Sequence, residues 1–433
     1  MAIELTEAWK PLRFHPQQSK CWRSRARFRA VAAGRRSGKT ELSRRRVVRW
    51  LPVQKDWPDP LYFYALPTRD QAKRVAWPAL KLLVPPHWVA KNGISESELS
   101  IETVFGSKLW VLGLDKPARA EGVGWDGGVV DESCDQRPGT FDKTIRPALS
   151  DRSGWCDRIG VPKRTGPGAQ EFKAFWERGL TGEDPEIESY SWPSSDILPA
   201  SEVESARRQL DDKDYNEQYN ASWETVGGSV FYAFSDVLNV DDRVSYNPDL
   251  PLLIGSDFNV DPMAWVFCQN HGGELYQFDE LWMRSTNTEA ALNETKKRYG
   301  NHKAGMYFFG DATGKARKTA ASTSDYIQIR NFEGFINSRV MYPDSNPPRH
   351  DRFASCNAMF KNAAGQHRYK VHPRCRNTIK DLVVRSYEPG TTEPDDHDDV
   401  GHITDALGYL IHALFPLKVV VNSTPPEVPG VYS

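Results

Sequence analysis

The sequence predicts an α/β protein of two domains, the first carrying a mostly parallel sheet. Three observations lead there. The chain has 433 residues, more than one ordinary hydrophobic core holds. Through its first half, short apolar runs alternate with helical or loop segments, the rhythm of parallel strands joined by crossovers. Near the N-terminus a strand, a glycine-bearing loop and a helix follow one another, with Gly38-Lys39-Thr40 at the end of the loop.

The first strand is the apolar run Phe28-Arg29-Ala30-Val31-Ala32, and a helical period runs from Glu41 to Trp50. Between them lies AGRRSGKT, Ala33 to Thr40. This is the context a phosphate-binding loop needs. Backbone N–H groups of Gly34, Arg35, Arg36, Ser37 and Gly38 wrap phosphate oxygens, helped by the positive end of the helix. Lys39 would reach the β- and γ-phosphates, and the Thr40 hydroxyl would hold Mg²⁺. The loop opens on Ala33 rather than glycine, so its tight turn has to tolerate a methyl group.

Further strands are expected at 61–66, 109–114, 128–131, 155–161 and 186–192, and a charged helix at 201–219 closes the domain. One strand, Gly127-Gly128-Val129-Val130-Asp131-Glu132, ends in two acids. After a phosphate loop such a pair reads as a hydrolase: Asp131 to bind Mg²⁺, Glu132 to orient and deprotonate the attacking water.

A polar, glycine-containing stretch marks the boundary, giving expected domains at 1–222 and 250–421, a junction at 223–249 and a Pro-rich tail at 422–433. The second domain opens with short consecutive strands at 251–257, 263–269 and 274–281, as in an antiparallel meander. A helix at 287–299 and a strand at 305–310 follow. Leu253-Ile254-Gly255-Ser256-Asp257 and Met306-Tyr307-Phe308-Phe309-Gly310-Asp311 are apolar strands ending on an acid. Asp395, Asp396, Asp398 and Asp399 precede an amphipathic helix with Asp405 near its start. Two strand-end acids and one helix acid can hold two divalent ions about 4 Å apart for phosphodiester cleavage. Hard Mg²⁺ or Mn²⁺ prefers such oxygen ligands.

Formal net charge is −1, so any nucleic-acid contact must use local patches. Candidates are Arg23, Arg25, Arg27 and Arg29, the pair Lys163 and Arg164, and Arg349 with Arg352, though solvated surface charge explains most of them. The six cysteines show no CxxC pair and read as reduced thiols of a cytosolic protein. The N-terminal residues do not form a signal peptide, and no apolar run reaches membrane-spanning length.

Taken in order, these motifs resemble the large subunit of a tailed-phage or prophage terminase, the DNA-packaging motor. They are Pro16-Gln17-Gln18, AGRRSGKT, Arg119-Ala120-Glu121-Gly122, GGVVDE, Gly160-Val161-Pro162, SDFNVD at 256–261, FGDATG at 309–314 and DVGHITDALGY at 399–409. The resemblance covers nearly the whole chain. It implies a P-loop ATPase followed by a nuclease of the RNase H/RuvC-like fold. It also implies ATP with Mg²⁺ at the first site and two Mg²⁺ or Mn²⁺ at the second. Implied partners are double-stranded DNA, the portal protein of the procapsid, a small terminase subunit and sister copies in a ring of about five, with no membrane. The implied setting is the host cytoplasm, with transient docking on the procapsid.

By the same resemblance, Gln18 contacts adenine, with Gln17 as the alternative, and Arg119 acts as an arginine finger in a neighbouring subunit, with Arg35 and Arg36 as rivals. Asp257, Asp311 and Asp405 are the nuclease acids, with Asp261 and His402 accessory and a solvated histidine the plainer reading of His402. One departure stands out. The segment after the acid pair usually reads Gly-Thr/Ser-Pro, whereas here it is Gly160-Val161-Pro162 and offers no hydroxyl. Lys163, Arg164 or Thr165 would have to take its place. Two rival functions remain at this level: a helicase-like ATPase whose C-terminal acids are structural, and a non-enzymatic assembly subunit.

Overall fold

The computed structural model describes residues 9, 14–224, 228–259, 261–315, 324–335, 337–388, 391–397 and 399–417. The chain forms two compact units, Met1–Val203 with Asn216–Thr225, and Glu204–Tyr215 with Val226–Ser433. The Pro-rich tail and Asp398 lie outside the described residues.

The first unit holds an eight-stranded sheet in the order β3-β4-β5-β2-β6-β7-β1-β8. The strands are β1 (Phe28–Ala33), β2 (Leu61–Leu66), β3 (Val89–Ser95), β4 (Ser100–Thr103), β5 (Lys108–Gly113), β6 (Gly127–Val130), β7 (Trp155–Gly160) and β8 (Ile187–Trp192). From β5 to β8 every pairing is parallel; β3 and β4 add an antiparallel flap at one edge. Strands buried on both faces must be apolar throughout. In β2, Tyr62, Tyr64 and Leu66 pack into one core and Phe63 and Ala65 into the other.

β7 is an exception to that rule. Asp157 and Arg158 are both buried, and each is paired: Asp157 with Arg29 and with Arg46 at 2.8 Å, Arg158 with Glu171 at 3.1 Å. Arg29 stands opposite Asp157 in the β1–β7 register. It is therefore an internal ion-pair partner, which corrects its reading as part of a surface patch. Arg23 ends the helix Pro16–Arg23, so the alternating arginines do not share one strand face.

The second unit holds a six-stranded sheet, β13-β12-β9-β10-β11-β14. β9 (Leu252–Asp257), β10 (Met263–His271) and β11 (Glu274–Met283) form the antiparallel meander. β12 (Met306–Gly310) returns parallel to β9 on its other side, and β13 (Ser338–Met341) lies parallel to β12. β14 (Tyr369–Val371) pairs parallel with β11. The helix His402–Leu414 crosses β9 so closely that a Cβ on Gly255 would come within 2.3 Å of the Ala406 carbonyl oxygen.

The unit boundary departs from the compositional one. The charged segment 201–219 is two helices, Ala200–Gln209 and Asp212–Gln218. Residues 204–215 join the second unit, where Asn362 donates to the Arg208 carbonyl at 2.7 Å and Lys361 pairs with Asp212 at 3.1 Å. Residues 216–225 return to the first unit, where Arg35 N–H donates to the Gln218 carbonyl. The stretch expected as a junction supplies core to the second unit: Val230, Phe231 and Val244 are buried there.

Candidate functional site

The loop after β1 leads through Gly38, at φ 84°, into the helix Lys39–Arg49. Ser194 and the segment beyond it brace this loop. The Ser194 hydroxyl donates to the Arg35 carbonyl at 2.7 Å, and its N–H donates to the Tyr219 carbonyl at 2.7 Å. A Cβ on Gly34 would sit 2.5 Å from the Ser194 Oγ, so only glycine fits. Trp192 and Gln18 both donate to the Ser37 carbonyl at 2.9 Å. Gln18 is therefore buried against the phosphate loop. The Ser37 hydroxyl is buried without a partner, a polar group such a loop can turn toward phosphate. Lys39 is buried and rests on the Gly34 carbonyl at 3.3 Å, and burial lowers the proton affinity of its ammonium.

Asp131 follows β6 directly. Tyr64 donates to its Oδ2 at 2.6 Å, and the Glu132 N–H to its Oδ1 at 2.8 Å, so its carboxylate is held in place. Glu132 adopts a left-handed backbone, φ 51°, an uncommon conformation for a bulky residue. Burial and the Asp131 charge raise its carboxyl pKa, while Lys39 and Lys163 oppose them. β1 and β6 both pair in parallel with β7, so Lys39, Asp131 and Glu132 all lie in segments that leave the same edge of the sheet. Thr40 is the second residue of the helix that Lys39 begins. Arg35 is exposed and donates to the Gln218 side chain at 2.9 Å, and Arg36 is exposed at φ 58°. Arg119 lies in the short turn Pro117–Ala120, exposed, 3.5 Å from Asp115.

In the second unit the topology brings distant acids together. β9 and β12 are parallel neighbours with Gly310 opposite Ser256, so Asp257 and Asp311 leave adjacent strand ends. Burial raises the Asp257 pKa; the charges of Asp405 and Asp311 add to this, and His402 counters it. His402 Nδ1 lies 3.0 Å from Asp257 Oδ2, and the Asn259 amide donates to the same oxygen at 2.7 Å. His402 is therefore half-buried against an acid, which corrects the plainer reading of a solvated histidine.

Asp405 Oδ1 receives Arg352 and Arg385, each at 3.1 Å. Both arginines are buried, so Arg352 is not a surface patch; Arg349 pairs with Asp396. Sequence reading missed Arg385 in this role, since one arginine after an apolar helix carries no signal. Asp311 accepts from the Thr313 hydroxyl, and its carbonyl accepts from Tyr326 at 2.6 Å. Arg284 ties Asp261 and Asp399 together at the rim.

Among the described residues, no three His, Cys, Asp or Glu side chains are placed to hold one metal ion. A hard divalent ion that keeps waters and takes substrate phosphates needs only one or two carboxylates from the protein. Asp257 and Asp311, on adjacent strand ends, are the two carboxylates that the topology offers for such an ion. The neighbouring Ser256 hydroxyl is buried without a partner.

Similarity to known proteins points to the same family as the motifs. No family model matches the chain. It is similar to the large terminase subunits of Thermus virus P23-45 and Thermus phage G20c, 25% identical to each over 300 aligned residues. That alignment spans 58% of this chain and 59% of each relative. Across nearly the whole chain it shares the fold of the large terminase of a thermophilic bacteriophage. The TM-score is 0.60 at 14% identity, covering 93% of this chain and 99% of that one. The same phage protein in complex with ADP gives 0.57 at 15% identity, covering 95% and 100%. The chain thus resembles phage large terminases in fold, with a mostly parallel α/β unit followed by a second α/β unit built on a mixed sheet.

Proposed function

We propose that this chain is the large subunit of a phage terminase. It hydrolyses ATP to drive double-stranded viral DNA into a procapsid, and it cuts the concatemer with a metal-dependent endonuclease. One observation carries this reading: a single chain presents a braced phosphate loop facing Glu132, and separately the acids Asp257 and Asp311 on adjacent strand ends. The thermophilic phage terminase, similar in fold, is known in complex with ADP, which supports nucleotide at the first site.

At the ATPase site the loop N–H groups and Lys39 hold the phosphates, and Gln18 stands at the loop for contact with adenine. Lys39 exchanges the Gly34 carbonyl for phosphate oxygens, a stronger, charge-assisted partner. Glu132 orients the attacking water and takes its proton; burial raises its proton affinity and suits it to that task. Thr40 and Asp131 would hold Mg²⁺, which would supply charge neutralisation for the phosphates. Arg119, exposed and 3.5 Å from Asp115, serves as the arginine finger toward a neighbouring subunit of a ring, with Arg35 and Arg36 as the rival candidates.

At the nuclease site Asp257, Asp311 and Asp405 would hold divalent ions, which would supply water activation and stabilisation of the leaving oxygen. His402 orients Asp257. Arg352 and Arg385 fix Asp405 through one oxygen and leave the other available. The portal protein, a small terminase subunit and sister copies complete the motor, which works in the host cytoplasm docked on a procapsid. The helicase-like alternative draws on one observation, the arginine clamp on Asp405, which gives that acid a structural task of its own.

Packaging is tested by the DNase protection of double-stranded DNA mixed with portal-bearing procapsids, ATP and the protein. Wild type should protect DNA and Glu132→Gln should not. Equal protection by both would sink the motor reading.

A further inference from the structure

The loop leaving β7 begins beside the phosphate loop, because β7 and β8 are the two sheet neighbours of β1. Its first residues cannot touch phosphate through a side-chain donor. Val161 is buried, and Pro162 carries neither a polar side chain nor an N–H. Arg164 is engaged elsewhere: its N–H and guanidinium donate to Glu217 at 2.6 and 2.8 Å.

Lys163 is placed differently. Its ammonium pairs with Asp135, in the turn Ser133–Asp135 that directly follows Glu132. Both partners are about one-third exposed, at 33% and 35%. Its charge acts on Glu132 and on Lys39. The backbone around it is fixed: Gly168 N–H donates to the Cys134 carbonyl at 2.9 Å, and Arg164 is held by Glu217. A flexible cation on a fixed backbone, in a surface pair of about 0–1 kcal/mol, can change partner at little cost.

We propose that Lys163 is the nucleotide-state sensor of this ATPase, pairing with Asp135 when no γ-phosphate is present and with the γ-phosphate when ATP is bound. It takes the place of the hydroxyl that Val161 lacks. Its departure leaves the Asp135 carboxylate without this partner in the turn that follows Glu132, so the charge beside that acid changes with the nucleotide bound. The inference rests on the ATPase reading above.

The test is calorimetric binding of ATPγS and of ADP, each with Mg²⁺, to the full chain, with ATP turnover measured in parallel. Lys163→Met should lose ATPγS affinity by about 10- to 100-fold, the worth of one hydrogen bond to a charged group, and keep its ADP affinity. Lys163→Arg should retain most of the ATPγS preference. Asp135→Asn, which removes the competing charge, should bind ATPγS more tightly than wild type does. An unchanged ATPγS-to-ADP ratio in Lys163→Met, or an equal loss for both nucleotides, overturns the sensor. Wild type that binds neither nucleotide, or Lys39→Ala with normal turnover, overturns the ATPase reading itself and the sensor with it.

Discussion

Glu132 concentrates the chemistry of the first unit in one side chain. It is half-buried, set on a left-handed backbone and raised in proton affinity. Glu132→Gln should cut ATP turnover by about 10²- to 10⁴-fold while nucleotide affinity stays near wild type, since the amide keeps the shape and loses the base. Turnover by colorimetric phosphate release, with ADP binding alongside, decides it; a loss of binding as well would make Glu132 a structural residue. Gly34 makes a second point at this scale. An added methyl meets the Ser194 hydroxyl at 2.5 Å and the Ser194 backbone nitrogen at 2.6 Å. Gly34→Ala should destabilise the unit by about 1–3 kcal/mol and weaken nucleotide binding, seen as a lower thermal midpoint and a right-shifted ADP titration. The strand, loop and helix from Phe28 to Arg49 were legible in the sequence because they are contiguous. The Ser194 brace was not, because the contact joins residues far apart in the chain.

Elements place what single residues cannot. The helix His402–Leu414 reaches Asp257 with His402 because β9 offers Gly255 at the crossing. Gly255→Ala should push that helix away, lower the stability of the second unit by about 1–3 kcal/mol and cut nuclease activity, with ATP turnover unchanged. Wild-type stability in this variant would contradict the crossing.

β7 carries a further test. Burial alone would raise the Asp157 pKa, but Arg29 and Arg46 outweigh it and hold it below the ordinary 3.8. A depressed folded value means the stabilisation is fully present above the unfolded pKa and is lost as pH falls through the folded one. The thermal midpoint of the first unit should therefore hold steady down to about pH 5 and fall steeply in acid below the ordinary carboxylate range. Asp157→Asn should cost about 3–5 kcal/mol at neutral pH, by leaving two buried arginines uncompensated, and should flatten that acid limb. Alternation and strand-end acids made most strands of both sheets readable. The buried charges of β7 were not, since Arg29 shows its partner only once β1 and β7 pair in parallel. Likewise His402 and Arg385 gain their roles from the crossing of a helix over a sheet, which leaves no local pattern.

For the whole molecule, a net charge of −1 agrees with the proposed motor, which would grip phosphates through local patches. No helix among the described residues is long and apolar enough to cross a membrane. Arg119→Ala should lose ATP turnover only where subunits are assembled, and mixing it with Lys39→Ala subunits should restore part of that turnover if the arginine acts on a neighbour. Undiminished activity of Arg119→Ala with no effect of mixing would reject that role.

Two separate chemistries in one chain are tested most directly by a crossed assay. Wild type, Lys39→Ala and Asp311→Ala would each be assayed for ATP hydrolysis and for Mn²⁺-dependent cleavage of plasmid DNA. Lys39→Ala should lose hydrolysis and still cleave, while Asp311→Ala should lose cleavage and still hydrolyse. Full cleavage by Asp311→Ala, or loss of both activities together in either variant, would contradict the division of labour between the two units.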